Sequence, residues 1–204
     1  STYVSVRGLV LDWQNSFRID GHPFLSYSTA LPLEHLEQIE LLKGSSGFLY
    51  GFASPGGVVN YVTRKPPRQG RVRGVTTGWG SGGLWRAHAD LGGRAGQDGM
   101  FGYRLNVTRE AGRTVNDGSS GRTSVSLALD ARLAPALTWD FQSLVHDRDV
   151  EDSEPTIQTS MLPGGLPPPV AADNTNIVGA GSHVDNRFRY YATGLRYELA
   201  PGWS

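Results

Sequence analysis

From about residue 70 onward the sequence alternates apolar and polar side chains in long, regular segments, and few folds accept such a pattern. In Leu84 to Leu91 the apolar set is Trp85, Ala87, Ala89 and Leu91, against Arg86, His88 and Asp90. A period of two belongs to an extended strand whose faces meet different surroundings. Phe101 to Thr108 repeats it, with Phe101, Tyr103, Leu105 and Val107 against Gly102, Arg104, Asn106 and Thr108. Val125, Leu127, Leu129 and Leu133 oppose Ser124, Ser126, Asp130 and Arg132, and Leu137, Trp139, Phe141 and Val145 oppose Thr138, Asp140, Gln142 and His146. Arg189 to Leu199 ends the series with Tyr191, Leu195, Tyr197 and Leu199. With Val72 to Trp79 as the first, about six strands follow one another as up-and-down antiparallel neighbours.

Length chooses between two architectures. Strands of soluble sandwiches run about 5 to 6 residues, whereas these run roughly 9 to 13, the length a tilted strand needs to cross a bilayer. The segments therefore read as strands of a transmembrane β-barrel. Trp79, Trp85, Tyr103, Trp139 and Tyr197 stand near strand ends, where aromatics suit the membrane interfaces and would equally fill a soluble core. Gly92 to Gly99 and Ala134 to Ala136 are short connections, Ala111 to Gly121 is longer, and His146 to Asn186 is longest, with a Gly164-Gly165-Leu166-Pro167-Pro168-Pro169 run that no strand tolerates. Short turns on one rim and long loops on the other are the habit of outer-membrane barrels and would put 147–185 outside the cell. About six strands cannot close such a barrel, so the wall reads as incomplete, with further strands expected beyond Ser204.

Composition removes several alternatives. The 27 glycines and 19% charged residues fit a turn-dense β chain, and a formal charge of zero disfavours a nucleic-acid partner. The absence of cysteine excludes thiolate chemistry, cysteine zinc sites and disulfides. No stretch approaches the roughly 18 to 20 apolar residues of a membrane-spanning helix. The chain begins at Ser1 with no signal peptide and ends after Pro201-Gly202, so both ends read as interior points of a longer sequence.

Residues 1–66 have a different texture, that of a small α+β unit. Tyr3 to Val10 alternates like one strand, and Ser16 to Gly21 suggests another ending in Asp20-Gly21. Pro32 opens a short helical turn through Leu36. Ile39 to Leu42 and Val58 to Val62 supply strands around a glycine-rich connection, in which Gly44, Gly47, Gly51, Gly56 and Gly57 permit tight turns and Pro55-Gly56 is a turn dipeptide.

Residues 39–66, IELLKGSSGFLYGFASPGGVVNYVTRKP, resemble the TonB-dependent outer-membrane receptors, specifically the ferric-siderophore branch, whose plug domains carry a pattern like IEVLKGPSGxLYGxxxPGGxVNxVTKRP. The matching positions include Ile39, Glu40, Lys43, Gly44, Gly47, Leu49, Tyr50, Gly51, Pro55, Gly56, Gly57, Val59, Asn60, Val62, Thr63 and Pro66. Val6-Arg7-Gly8 and Arg18-Ile19-Asp20-Gly21 resemble two further family elements, while Ser45 replaces a common proline and Leu9 a usual aromatic.

The resemblance implies a mostly β chain: residues 1–66 as the C-terminal half of a plug, and 67–204 as the opening strands of a barrel of about 22 strands. It implies a receptor and transporter for ferric siderophores in the outer membrane of a Gram-negative bacterium. TonB, energised by ExbB and ExbD, would act through a segment that precedes this sequence, and outer-membrane lipid would surround the wall. Cobalamin or another chelate, or signal transduction across the membrane, are the alternative roles. Arg7 and Lys43 correspond to basic residues that lock the plug to barrel glutamates. Apical loops Leu11 to Phe17 and His22 to Ser28 would meet the cargo with Trp13, Gln14, Phe24 and Tyr27, the aromatics serving equally well as plug core. Iron would be carried inside its chelate, so neither a resident cofactor nor a protein metal site is expected. The acidic run Asp147, Asp149, Glu151, Asp152 and Glu154 reads as a solvated loop in preference to a cation site. The histidines at 22, 35, 88, 146 and 183 have no metal-ligand spacing, and no catalytic motif of a hydrolase, metalloprotease or nucleotide-binding enzyme appears.

Overall fold

The computed structural model describes residues 4–26, 29–44, 54–113, 118–152 and 181–199. Six strands form one antiparallel meander: β7 (Val72–Trp79), β8 (Trp85–Ala95), β9 (Phe101–Arg113), β10 (Ser119–Ala134), β11 (Leu137–Glu151) and β12 (His183–Tyr197), each paired with its neighbours in sequence. The alternation read from the sequence is the alternation of this wall. Outward-facing rows run across it, such as Ala89–Val107–Val125–Val145 and Leu91–Leu105–Leu127. Inward rows read His88–Thr108–Ser124–His146–Phe188 and Asp90–Asn106–Ser126–Leu144–Tyr190. From Leu137 to Val145 the apolar side of β11 covers about 27 Å of strand, close to the apolar band of a membrane barrel once tilt is allowed.

The N-terminal unit sits against the inner face. Its four-stranded sheet has the order β4 (His22–Pro23), β3 (Phe17–Ile19), β6 (Gly57–Thr63), β5 (Leu36–Lys43), with β3 and β6 parallel and the outer pairs antiparallel. A separate hairpin joins β1 (Ser5–Val6) to β2 (Leu9–Val10). Val6, Leu11, Phe17 and Val59 form the unit's own core, with Trp13, Phe24 and Tyr61 packed on it.

Two readings of the sequence are corrected and one is borne out. Tyr3 to Val10 is not one strand: Arg7 and Gly8 both take positive φ and fold it into a hairpin, a turn geometry that alternation alone does not reveal. The short helical turn expected from Pro32 through Leu36 is present as a 3-10 turn, Leu33–His35, and no α-helix occurs among the described residues. The loop expected from His146 to Asn186 begins later, because β11 and β12 stay paired out to Glu151 and His183. Asp147, Arg148, Asp149, Asp185 and Arg187 line this extension. Where polar side chains occupy both faces of a strand the apolar signal fades while the backbone ladder continues. The Gly164 to Pro169 run and Glu154 lie outside the described residues.

Between the two parts runs a short tether. Pro66 and Pro67 lie on Gly92 and Gly102 of the wall, where a Cβ on Gly102 would come within 2.8 Å of Pro66 Cβ and 2.5 Å of an Asp130 oxygen. Arg94 fastens the tether, donating to Pro67 O at 3.2 Å and to Gly99 O at 2.7 Å while pairing with Asp130.

Candidate functional site

The functional geometry lies where the N-terminal unit meets the wall, and it descends in steps. Highest is the 3-10 turn. The Glu34 carboxylate lies 2.8 Å from Arg122 Nη1, in charge contact without hydrogen-bond alignment, and Arg122 donates two 3.0 Å bonds to Glu110. His35, buried to 1% exposure, places Nε2 at 2.9 Å from the Thr108 hydroxyl, which lies equally close to His88 Nδ1. The two imidazole centroids are 5.6 Å apart. Burial, helped by His88, Arg122 and Arg64 and opposed by Glu34, pushes the His35 imidazole down to about 4.

One row lower, Arg64 reaches from the end of β6 to Asp90 at 2.6 Å, and Asp90 also takes two bonds from Arg104 at 2.6 and 2.7 Å. Beside these pairs the contact is apolar: Leu144, an inward side chain of β11, joins Ile19 and Leu31 in a second buried cluster with Phe188 and Tyr190. Tyr190 donates to Ile19 O at 3.4 Å. Lowest, Asp20 accepts from Thr63 at 2.7 Å and pairs with Lys65 at 3.0 Å, beside an open chamber of about 770 Å³ floored by Arg132 and Arg196.

Two residues of the sequence motif act as internal braces. Asn60 is buried, donates to Glu40 at 2.8 Å and accepts from Gly21 N–H at 2.9 Å, so it ties β5 to the β3–β4 turn. Gly57 is required by contact: any Cβ there would sit 2.0 Å from Leu42 O. Gly44 takes positive φ at the end of β5, and Pro55 and Gly56 lie in the turn closed by Gly57 N–H to Ser54 O at 2.9 Å. Tyr50 and Gly51 lie outside the described residues.

Residues 1–58 match the family model described as the TonB-dependent receptor plug domain. The N-terminal part of the chain thus matches the plug of TonB-dependent receptors. It is 27% identical over 189 residues to the metal-pseudopaline receptor CntO of Pseudomonas aeruginosa, which covers 87% of this chain and 25% of that receptor. The fold agrees with that of P. aeruginosa FpvA bound to a heterologous pyoverdine and iron: TM-score 0.82, 19% identity, 98% of this chain and 27% of FpvA. It agrees also with BauA, the ferric preacinetobactin receptor of Acinetobacter baumannii, at TM-score 0.78 and 22% identity over 98% of this chain and 30% of that one. The chain thus spans a quarter or less of the curated relatives it matches. TonB-dependent receptors are outer-membrane β-barrels, and the six-stranded sheet is an unclosed part of such a wall.

Against this plug, the residues singled out in the sequence fall in different places. Arg7 and Lys43 are exposed, and neither forms an ion pair within the described residues. Trp13 is half-buried on the plug core. Phe24 stacks edge-on with Phe17, Tyr61 and, across the interface, Phe188 at 5.9 Å. Gln14 is exposed in the loop before β3, its backbone N–H bonded to Asp12, and Tyr27 lies outside the described residues. From Asp147 to Asp152 the acidic run is strand and strand end: Asp147 pairs with Arg189 at 2.7 Å and Asp152 accepts from Gly181 N–H. Among the described residues no group of three metal-ligating side chains occurs.

The residues that join plug to wall went unmarked in the sequence reading. Glu34, Arg64 and Arg122 carry no local pattern that marks them, His35 shows only as a lone histidine, and Asp90 and Thr108 show only as polar strand positions. A signal did exist, since the inward row Arg86–Glu110–Arg122 alternates in sign across strands, an arrangement that stabilises neighbours.

Proposed function

We propose that this chain is the plug end and opening wall of an outer-membrane receptor that imports ferric siderophores, with 1–66 acting as plug and 67–204 as barrel. The observation that carries the reading is a plug sheet seated by ion pairs and a shared apolar cluster on the polar face of bilayer-length strands, whose other face is apolar. Related receptors named for pseudopaline-bound metal, pyoverdine and preacinetobactin support an iron-chelate cargo. On this reading the wall lies in the outer membrane of a Gram-negative bacterium, in contact with its lipid. TonB, driven by ExbB and ExbD, moves the plug, iron enters as cargo inside its chelate, and no step is enzymatic.

Trp13, Gln14, Phe24 and Tyr27 face the cargo on this reading. These loops leave the upper ends of β3 and β4, and the Asp20–His22 turn at the opposite end lines the chamber on the short-turn rim. Arg7 and Lys43 lock onto barrel glutamates. The test is uptake of radioiron-loaded chelates by cells with and without the gene, grown with scarce iron. Saturable, TonB-dependent uptake lost on deletion supports the reading, and uptake unchanged by deletion for every chelate rejects it. Gln14→Ala with Tyr27→Ala then weakens chelate binding, and unchanged affinity rejects the cargo-loop assignment.

A further inference from the structure

The contact of the 3-10 turn with the wall carries more polar chemistry than a static dock needs. His35 on the plug and His88 on β8 share one hydroxyl, Thr108 Oγ1, at 2.9 Å each. A hydroxyl has one hydrogen, so with both rings neutral it donates to one ring and accepts an N–H from the other. The same inward row continues through Ser124, whose hydroxyl lies 2.7 Å from His146 Nδ1. His35 thus lands on a wall row reading His–Thr–Ser–His.

Around His35 the charges are nearly balanced. Arg64 lies on the plug side; Arg86 and Asp90 come from β8, Arg104 and Glu110 from β9, Arg122 from β10, and His146 from β11. Glu34 is the acid nearest the ring, and Arg122 already engages it together with Glu110. Asp90 is likewise divided between Arg64 and Arg104. A new positive charge on a ring 1% exposed meets two arginines and an imidazole, and the one acid that favours it, Glu34, is already in charge contact with Arg122.

We propose that the Leu33–His35 turn is a proton-operated latch, holding the plug on β8–β10 while His35 is neutral and releasing that contact when His35 takes a proton. The ring resists protonation while buried, so the closed latch keeps its full preference above about 6.5, the ordinary histidine value, and loses it progressively as pH falls from there to about 4. Inside that window the ratio of closed to open latch falls about tenfold per pH unit, the slope of a one-proton linkage. The latch rests on the seating of this plug in this wall and not on the cargo.

The experiment uses the complete receptor in detergent, spin-labelled at Leu33→Cys on the turn and Arg109→Cys on the outer rim, both exposed positions. Pulsed electron resonance at neutral pH should give one short distance, and a longer population should replace it as pH falls toward 4. His35→Gln, which keeps a hydrogen-bonding side chain and cannot take a proton, should hold the short distance throughout. A wild-type distribution unchanged between neutral pH and pH 4, or a glutamine variant that shifts like wild type, overturns the latch. Should that variant fail to insert, the wild-type titration decides alone: a midpoint between 4 and 6.5 supports the proposal, and its absence there ends it. Failure of iron-chelate uptake alongside an intact pH response would reject the cargo reading and leave the latch standing.

Discussion

The plug sheet and the barrel wall are both β-structure, yet they are built on opposite terms. The plug's strands run from two to eight residues and enclose apolar side chains such as Phe17 and Val59, in the manner of a small soluble domain. The wall's strands run from eight to 16 residues, turn their apolar side outward and keep polar groups inside. The difference teaches where stability must come from. The N-terminal unit shares part of its core, Leu144, Phe188 and Tyr190, with the wall. The wall in turn needs charged partners for the buried polar groups of its inner face, and the plug supplies Glu34 and Arg64.

Substitutions can break that exchange. The largest effect is expected from Asp90→Ala, which strips the shared counter-ion from Arg64 and Arg104 and should cost about 4 kcal/mol of plug docking. Urea unfolding of the solubilised receptor, followed by tryptophan emission from the plug, measures it; a loss below about 1 kcal/mol would show that the pairs are solvated in practice. Next is Leu144→Ala, expected to cost about 3 kcal/mol in the same assay, against under about 1 kcal/mol for its outward neighbour Val145→Ala. Equal losses would mean that the inner and outer faces do not differ as described.

Smaller is Gly102→Ala. Its Cβ would crowd Asp130, Arg94 and Pro66, at about 2 kcal/mol, whereas Gly74→Ala on β7, nearest neighbour 3.9 Å away, should lie close to zero. Smallest is Gly21→Ala at the β3–β4 turn, where φ of +83° and open space leave only backbone strain of about 1 kcal/mol. Midpoint shifts in the same unfolding curves rank all four, and a reversed order would refute the division of labour.

Much of this was legible in the sequence, for a physical reason. Period-two alternation reports the environment of each face, and in the wall the environment changes once per residue, so β7 and the cores of β8 to β12 could be read directly. The Asp20-Gly21 turn was legible because aspartate and glycine tolerate positive φ, whereas Arg7-Gly8 hid inside an alternating run. Leu144 was not legible as an inward residue, since it sits beside Val145 and a local pattern cannot say which of two adjacent apolar side chains faces a partner domain. The His35 site depends on residues 73 positions apart meeting at one hydroxyl, which no local pattern encodes.

The tether has a mechanical meaning. Residues 64–71 join β6 to β7, and with Arg64 held by Asp90 and Pro67 by Arg94, only Lys65 and Pro66 lie between the two fastenings. Two residues extend to about 7 Å at most. The plug is therefore on a short leash: a rigid-body excursion longer than that cannot occur without first undoing one of the two arginine fastenings or peeling β6 from its sheet, so any large movement must begin at a residue that can be named and mutated.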